Sequence, residues 1–112
     1  MKYFIYSLIL AASCFLTTQG IAADTAAGKA KYDMLCASCH GATGHGDGVA
    51  SAALNPKPRD LTASTKSDAE LKGVIKNGGA SAGLSPSMPA WGAMLQEADI
   101  DNVIAYVRSL KK

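Results

Sequence analysis

The sequence predicts a small all-α fold of three to four helices. Apolar residues recur at helical spacing near both ends of the chain, and no period-two strand pattern or internal repeat interrupts them. The length of 112 residues and the 48% hydrophobic, 18% charged composition fit one globular domain. Aromatic residues make up only 6%, so a bound cofactor is expected to complete a core of this size.

The first helix is expected to begin at Asp24 or Thr25 and to run to about Cys36. Gly28 and Tyr32 are four residues apart and therefore share one face of this helix. Met34 is expected in the core.

The middle of the chain predicts one short helix between two loops. Residues 41–60 contain repeated glycines and two prolines and are expected to form a loop. A capping box at Ser67–Glu70 then opens a helix that continues through Ile75 and ends at Gly78-Gly79. Residues 80–92 are expected to be loop again.

The last helix is predicted from about Glu97 to Leu110. Its apolar residues recur at the spacing of one buried helix face. They are Ile100, Val103, Ile104 and Val107. Met94, just before this helix, is expected to pack against the core.

Residues 1–23 have the layout of a cleaved secretory signal peptide. Lys2 precedes an apolar run from Tyr3 to Leu16, and small residues follow it up to Ala23. The run is shorter than the 18 or so residues that span a bilayer, so an uncleaved anchor is the weaker alternative. A lipid anchor at Cys14 is a third alternative. The expected location is the periplasm, with residues 24–112 as the mature domain and no stable membrane insertion.

The charge distribution argues against nucleic-acid binding. The net charge is only +2, whereas a nucleic-acid binder should show a clustered basic field. Between Lys57 and Lys76, five cations outweigh three carboxylates. This stretch is either a docking face for an acidic redox partner or an ordinary solvated surface.

Cys36-Ala37-Ser38-Cys39-His40 is the pattern of covalent haem attachment. Residues three apart in a helical turn point the same way, so both thiols can form thioethers at one porphyrin edge. His40 is then expected to present its ring to the iron, while its other nitrogen donates to a backbone carbonyl in the Pro56–Pro58 region. The pattern predicts one haem c, covalent through Cys36 and Cys39.

Two other uses of the cysteine pair remain open. A dithiol redox site normally lies in a βαβ context, which the sequence lacks. A zinc site would have to use Cys36, Cys39, His40 and His45 within ten residues, which is a cramped arrangement.

Four side chains are candidates for the second axial position on the iron. Met88 lies between Pro86 and Pro89, which stiffen the loop that holds it, and a thioether suits a buried soft ligand. Of the other three, Met34 is expected in the core, Met94 is expected to pack against it, and His45 is expected to be an exposed loop residue.

The mature chain resembles the class I c-type cytochromes, the small bacterial monohaem kind. The resemblance spans residues 24–112. It is carried by Gly28, Tyr32, Cys36–Gly41, Pro56–Leu61, Met88–Trp91, Val103 and Tyr106.

This resemblance implies the cytochrome c fold, with helices wrapped around one covalently attached haem and the first and last helices crossing near perpendicular. It implies close helix approach at Gly28 and a contact between Tyr32 and Tyr106. Gln96 stands where many relatives place Ser or Asp at the start of the last helix, and Asp99 partly compensates.

The resemblance also implies the residues that contact the haem. His40 and Met88 would be its axial ligands, and Arg59 or Trp91 would contact a propionate.

A haem iron with two protein ligands has no open site for a substrate, which favours one-electron transfer over catalysis. The expected function is that of a periplasmic electron carrier, not an enzyme, between a protein donor and a protein acceptor. The alternative is a haem subunit or dedicated partner of an oxidoreductase complex. A haem sensor or catalyst with a labile sixth ligand is the third possibility.

Overall fold

Four α-helices in chain order form the architecture, and no strand is present in the residues that the structure describes. The structure is a computed structural model that describes Ser13 and residues 22–111. The helices are α1 (Thr25–Leu35), α2 (Ala37–His40), α3 (Asp68–Asn77) and α4 (Glu97–Ser109). The all-α prediction is confirmed. The predicted signal segment, apart from Ser13, Ala22 and Ala23, lies outside the described residues.

Local caps set the ends of the three longer helices where the sequence predicts them. The Asp24 carboxylate accepts from the backbone N–H of Ala27 at 3.1 Å, and Ser67 Oγ accepts from that of Glu70 at 3.2 Å. At α4, the carboxylate of Asp99 accepts from the backbone N–H of Gln96 at 3.0 Å. Asp99 therefore compensates for the unusual glutamine by satisfying a backbone donor at the helix start.

Short 3₁₀ turns interrupt the two predicted loops. Ser51–Ala53 lies in the first loop and Ala80–Ala82 in the second, and a third turn covers Leu61–Ala63. Apart from these turns, residues 41–60 and 80–92 form no helix and no strand, in agreement with the predicted loops. Single turns of this kind are common connectors because they satisfy backbone groups without a longer helix.

The buried face of α1 is the Gly28–Tyr32 face, and it packs on α4. A Cβ at Gly28 would collide with the backbone carbonyl of Asn102, so only glycine permits this approach. One helical turn further on, Tyr32 is fully buried and its ring meets that of Tyr106 edge-on, with centroids 5.0 Å apart. The predicted contacts at Gly28 and Tyr32 are confirmed.

The core is built mainly from one face of α4, as its apolar spacing predicts. Ile100 and Val103 are almost completely buried. The other buried apolar residues are Tyr32, Leu71, Ile75, Leu95, Ile104, Tyr106 and Val107. Several half-buried apolar residues pack against this cluster. They are Leu35, Cys36, Ala37, Leu61, Met88, Trp91 and Leu110.

Replacing Gly28 with alanine is expected to destabilise the protein by roughly 1–3 kcal/mol or more, because the added methyl overpacks the α1–α4 contact. The matched control is Gly73→Ala in α3, where an added Cβ meets nothing within 4 Å. That variant should gain roughly 0.5–1 kcal/mol from helix propensity. Urea unfolding of both variants measures the difference. Equal stabilities would contradict the close helix approach.

None of the helices in the described part of the chain is long and apolar enough to cross a membrane.

Candidate haem site

The cysteine pair and His40 occupy one helical turn directly after α1. Cys36 keeps helical backbone angles, and the N–H of His40 donates to the Cys36 carbonyl at 2.9 Å. Gly41 ends the turn with φ +86°, which a side chain would disfavour. Both thiols are unpaired and half-buried. The two cysteines and the following histidine therefore lie within one helical turn.

The chemistry of the thiols disfavours a dithiol redox site. Burial, with a smaller effect of neighbouring Cys39, raises the pKa of the Cys36 thiol to about 11. Redox-active cysteines instead need a lowered pKa, because the thiolate is the reacting form.

A zinc site is not supported either. Across Ser13 and residues 22–111, no three His, Cys, Asp or Glu side chains come together as a metal site. The two alternatives to haem therefore lack structural support.

The orientation of the His40 ring is held by a backbone carbonyl. Its Nδ1 lies 3.1 Å from the Arg59 carbonyl oxygen, which can only accept, so Nδ1 carries the proton. The predicted carbonyl in the Pro56–Pro58 region is thus one residue further along the chain. Within residues 22–111, Nε2 has no hydrogen-bond partner, so it is the nitrogen left for a metal. Burial lowers the His40 pKa, against the hydrogen bond to Arg59, and so favours the neutral, ligating form.

Two glycines allow the loop after His40 to pack against the segment that carries Arg59. The N–H of Gly46 donates to the His40 carbonyl at 2.7 Å, and that of Leu61 donates to the Gly44 carbonyl at 2.6 Å. A Cβ at Gly46 would collide with the Pro58 carbonyl, and its φ is +79°. The two segments are therefore tied together on either side of the His40–Arg59 contact.

Both core tyrosines also support the loop that follows His40. The Tyr32 hydroxyl donates to the Gly41 carbonyl at 2.6 Å, and that of Tyr106 donates to the Ala42 carbonyl at 3.4 Å. Burial raises the pKa of Tyr32 far above its usual value of 10.0. The buried α1–α4 contact is thereby linked to the position of the haem-attachment turn.

Tyr32→Phe is expected to lower the free energy of unfolding by roughly 1–2 kcal/mol at pH 8, because the Gly41 carbonyl loses its buried donor. The raised pKa adds a pH dependence. Above pH 10 the unfolded chain loses the Tyr32 proton while the folded protein keeps it. Wild-type stability therefore falls by up to about 1.4 kcal/mol per pH unit, and this component is absent in Tyr32→Phe. Denaturant unfolding at pH 8 and pH 11 should show the difference between the two proteins shrinking. A constant difference would contradict the prediction.

Met88 lies in a loop that is anchored to the end of α3. The N–H of Gly79 donates to the Met88 carbonyl at 3.0 Å, and that of Trp91 donates to the Ile75 carbonyl at 2.8 Å. The Met88 backbone N–H donates to Ser85 at 3.2 Å, and its side chain packs against the core cluster. The stiff loop expected from the flanking prolines is therefore held at both sides of Met88.

The other candidates for the second axial position lie in solvent. Met34 is 73% exposed and Met94 is 69% exposed, so the expectation that both are buried was wrong. Met34 is two residues past Tyr32 and falls outside the buried face of α1, while Leu95 takes the core position next to Met94. His45 is exposed as expected, and its Nδ1 contacts Thr43 Oγ1 at 2.9 Å.

The side chains of Arg59 and Trp91 are placed differently from one another. Trp91 is half-buried against the core, whereas Arg59 is exposed and contributes its backbone carbonyl to His40. Their predicted contact with a haem propionate stays a prediction. The carbonyl role of Arg59 has no signal in the sequence, because any residue type can supply a carbonyl and only the path of the loop selects one.

The donor set fits a c-type haem. It consists of two unpaired thiols at attachment spacing, an imidazole whose Nδ1 is hydrogen-bonded and whose Nε2 is free, and one half-buried thioether in an anchored loop. Fold and site together define a small all-α haem protein of the c type.

Comparison with known proteins shows the family. Residues 23–107 match the family model described as "Cytochrome C oxidase, cbb3-type, subunit III". The chain is 38% identical to cytochrome c-554(547) of Halothiobacillus neapolitanus over 96 residues, which cover 80% of this chain and all of that protein. The chain belongs to the cytochrome c family. Its cofactor is covalently bound haem, and its function is electron transfer rather than catalysis, as expected.

Two further relatives are larger proteins. The chain is 36% identical to the CcoP subunit of the cbb3-type cytochrome c oxidase from Azospirillum sp. (strain B510), over 85% of this chain and 32% of that subunit. A solved chain of the reducing HAO-like protein complex of Kuenenia stuttgartiensis superposes with a TM-score of 0.67 at 29% identity. That match covers 79% of this chain and 43% of the solved one.

Proposed function

We propose that the protein is a periplasmic one-electron carrier whose haem is attached through Cys36 and Cys39 and ligated by His40 and Met88. The observation that carries this proposal is the contrast among the candidate ligands. His40 has one nitrogen committed and one free, and Met88 packs against the core in an anchored loop. The remaining methionines of the described residues lie in solvent.

The bound haem supplies an Fe(III)/Fe(II) couple that accepts and releases one electron. The Arg59 carbonyl orients the His40 ring and raises its basicity, which favours ferric iron. The Met88 thioether is neutral and soft, which favours ferrous iron and raises the reduction potential relative to a second histidine. Because backbone bonds hold both ligand segments, both ligands can stay in place in either oxidation state.

Ferrous carbon monoxide binding tests this function against the sensor or catalyst alternative. We expect a one-electron redox titration together with weak and slow carbon monoxide binding, because both axial positions are occupied. Rapid, tight binding would show a labile sixth position and contradict the carrier proposal.

The second candidate is a haem subunit or dedicated partner of an oxidoreductase complex. It is favoured by the similarity to a CcoP subunit and to a chain of a HAO-like protein complex, of each of which this chain spans less than half. Gel filtration of native extract distinguishes the two. The carrier should elute at its own mass, whereas a subunit should co-elute with a stoichiometric partner.

Export of the protein depends on residues 1–23, which we propose to be a cleaved signal peptide. N-terminal sequencing of the haem protein from a periplasmic fraction should begin directly after Ala22 or Ala23. An intact N-terminus in the membrane fraction would instead support an anchor.

The predicted docking face between Lys57 and Lys76 is partly neutralised. Lys72 forms ion pairs with Glu97 at 3.0 Å and Asp101 at 2.9 Å, and Lys76 pairs with Glu97 at 2.6 Å. We therefore restrict the proposed face for an acidic partner to the cations that form no ion pair among the described residues. These are Lys57, Arg59 and Lys66. Electron-transfer rates with an acidic partner should fall with added salt, and a flat salt profile would leave only an ordinary solvated surface.

A further inference from the structure

We propose that Asp60 is a positioning residue for the haem iron, acting through the Arg59 carbonyl on the His40 ring. The inference rests on the proposed function, in which His40 is an iron ligand. The proposed role requires neither a contact between Asp60 and the haem nor an ion pair of Asp60. Its role follows from how its carboxylate fixes the backbone on one side of the peptide group that accepts the His40 proton.

The Asp60 carboxylate makes two hydrogen bonds to one residue. Its Oδ1 accepts from the backbone N–H of Thr62 at 2.9 Å and from Thr62 Oγ1 at 2.6 Å. Asp60 thus caps the 3₁₀ turn Leu61–Ala63, and its carbonyl accepts from Ala63 at 3.4 Å. These bonds restrain the backbone immediately after the Arg59 carbonyl.

The loop that follows His40 contacts the chain both before and after the same peptide group. Gly46 packs on the Pro58 carbonyl, and the Leu61 N–H donates to Gly44. The carbonyl that receives the His40 Nδ1–H is therefore bracketed by contacts before and after it. The Asp60 carboxylate, with the Thr62 hydroxyl that donates to it, is the side-chain part of these restraints, since the other contacts are between backbone groups.

Removal of this restraint has a defined electronic consequence. A well-aligned Nδ1–H···O=C bond makes the imidazole more basic and stabilises ferric iron. A looser Arg59 carbonyl should weaken that bond and raise the reduction potential. We expect the preference of the protein for ferrous over ferric haem to rise at least threefold. A tenfold rise in this preference would correspond to about 59 mV in the one-electron reduction potential.

The charge of Asp60 must be separated from its position. Its side-chain hydrogen bond with Thr62 lowers the pKa of Asp60, and the nearby His45 ring also favours the charged form. Loss of a negative charge from the haem-binding chain would by itself raise the potential. Asp60→Asn removes the charge and retains an acceptor for both Thr62 donors, whereas Asp60→Ala removes both.

The experiment uses the holoprotein and two measurements. One is the reduction potential, and the other is the hydrogen-exchange rate of the His40 Nδ1–H, measured by NMR in the ferrous state. Asp60→Ala should raise the reduction potential more than Asp60→Asn does. It should also accelerate exchange of the His40 Nδ1–H at least tenfold, whereas this proton should exchange at nearly the wild-type rate in Asp60→Asn. Asp24→Ala removes a carboxylate that caps α1 in the same way, and it should change neither measurement.

Thr62→Val is a milder second variant that deletes the hydroxyl bond and leaves the carboxylate charged. It should accelerate exchange in the same direction as Asp60→Ala, and it answers the question if Asp60→Ala does not fold. The positioning role would be overturned if the His40 Nδ1–H exchanged at the wild-type rate in Asp60→Ala and Thr62→Val. It would also be overturned if Asp60→Ala and Asp60→Asn had equal reduction potentials.

Failure of the ligand assignment has a different signature. If His40 does not ligate the iron, its ring protons will lack the large haem ring-current shift in the wild type as well. That result overturns both the proposed ligand and the Asp60 role. Shifted His40 resonances with unchanged exchange overturn the Asp60 role alone.

Discussion

Replacing both Cys36 and Cys39 with alanine is expected to abolish covalent haem attachment and to leave the chain largely unfolded. The apolar residues around the core cluster are only half-buried, among them Leu61 and Trp91. The haem should complete this small core, so its binding free energy contributes directly to folding. Haem staining after denaturing electrophoresis measures attachment, and far-ultraviolet circular dichroism measures helix content.

The matched control is Ser38→Ala in the same turn. Ser38 is exposed and lies between the two cysteines, so its loss should leave attachment and helix content unchanged. A double cysteine variant that is fully helical and melts cooperatively would contradict the proposed contribution of haem to folding.

Replacing Met88 with alanine is expected to lower the reduction potential by on the order of 100 mV or more. The loss of a soft thioether changes the ferrous-over-ferric preference by more than one decade, and each decade corresponds to about 59 mV for one electron. The ferric protein should also lose its weak near-infrared iron–sulfur charge-transfer band. Exogenous ligands should then bind at the vacated position.

Met94→Ala is the control for the Met88 variant. Because Met94 is 69% exposed, its truncation should change the free energy of unfolding by no more than about 0.5 kcal/mol. The larger loss of stability that would follow if Met94 packed against the core, as the sequence predicts, is therefore not expected. A band that disappears in Met94→Ala and persists in Met88→Ala would contradict the ligand assignment.

Local signals in the sequence account for most of the fold. The caps at Asp24 and Ser67 and the glycine at position 78 define helix ends, because each acts on backbone groups within a few residues. The spacing of Ile100 and Val103 likewise identifies the buried face of α4. Elements of this kind are predictable because their determinants are neighbours in the chain.

Features that depend on long-range packing were not predictable. The exposure of Met34 follows from which face of α1 meets α4, because the face with Gly28 and Tyr32 packs on α4 and Met34 lies outside it. The choice of Arg59 as acceptor for His40 depends on the loop contact between Gly44 and Leu61, which joins backbone groups of any residue type. The spacing of Asp60 and Thr62 is typical of a local side-chain cap on the backbone. It does not indicate that this cap acts on His40.

Acidified-acetone extraction of the wild-type protein shows whether haem is bound to the polypeptide through thioethers. Thioether bonds do not hydrolyse under these conditions. We predict that haem stays with the polypeptide and that digestion and mass spectrometry place it on the peptide containing Cys36 and Cys39. Haem that extracts freely, or that is found on a peptide lacking both cysteines, would show that this protein is not a c-type cytochrome.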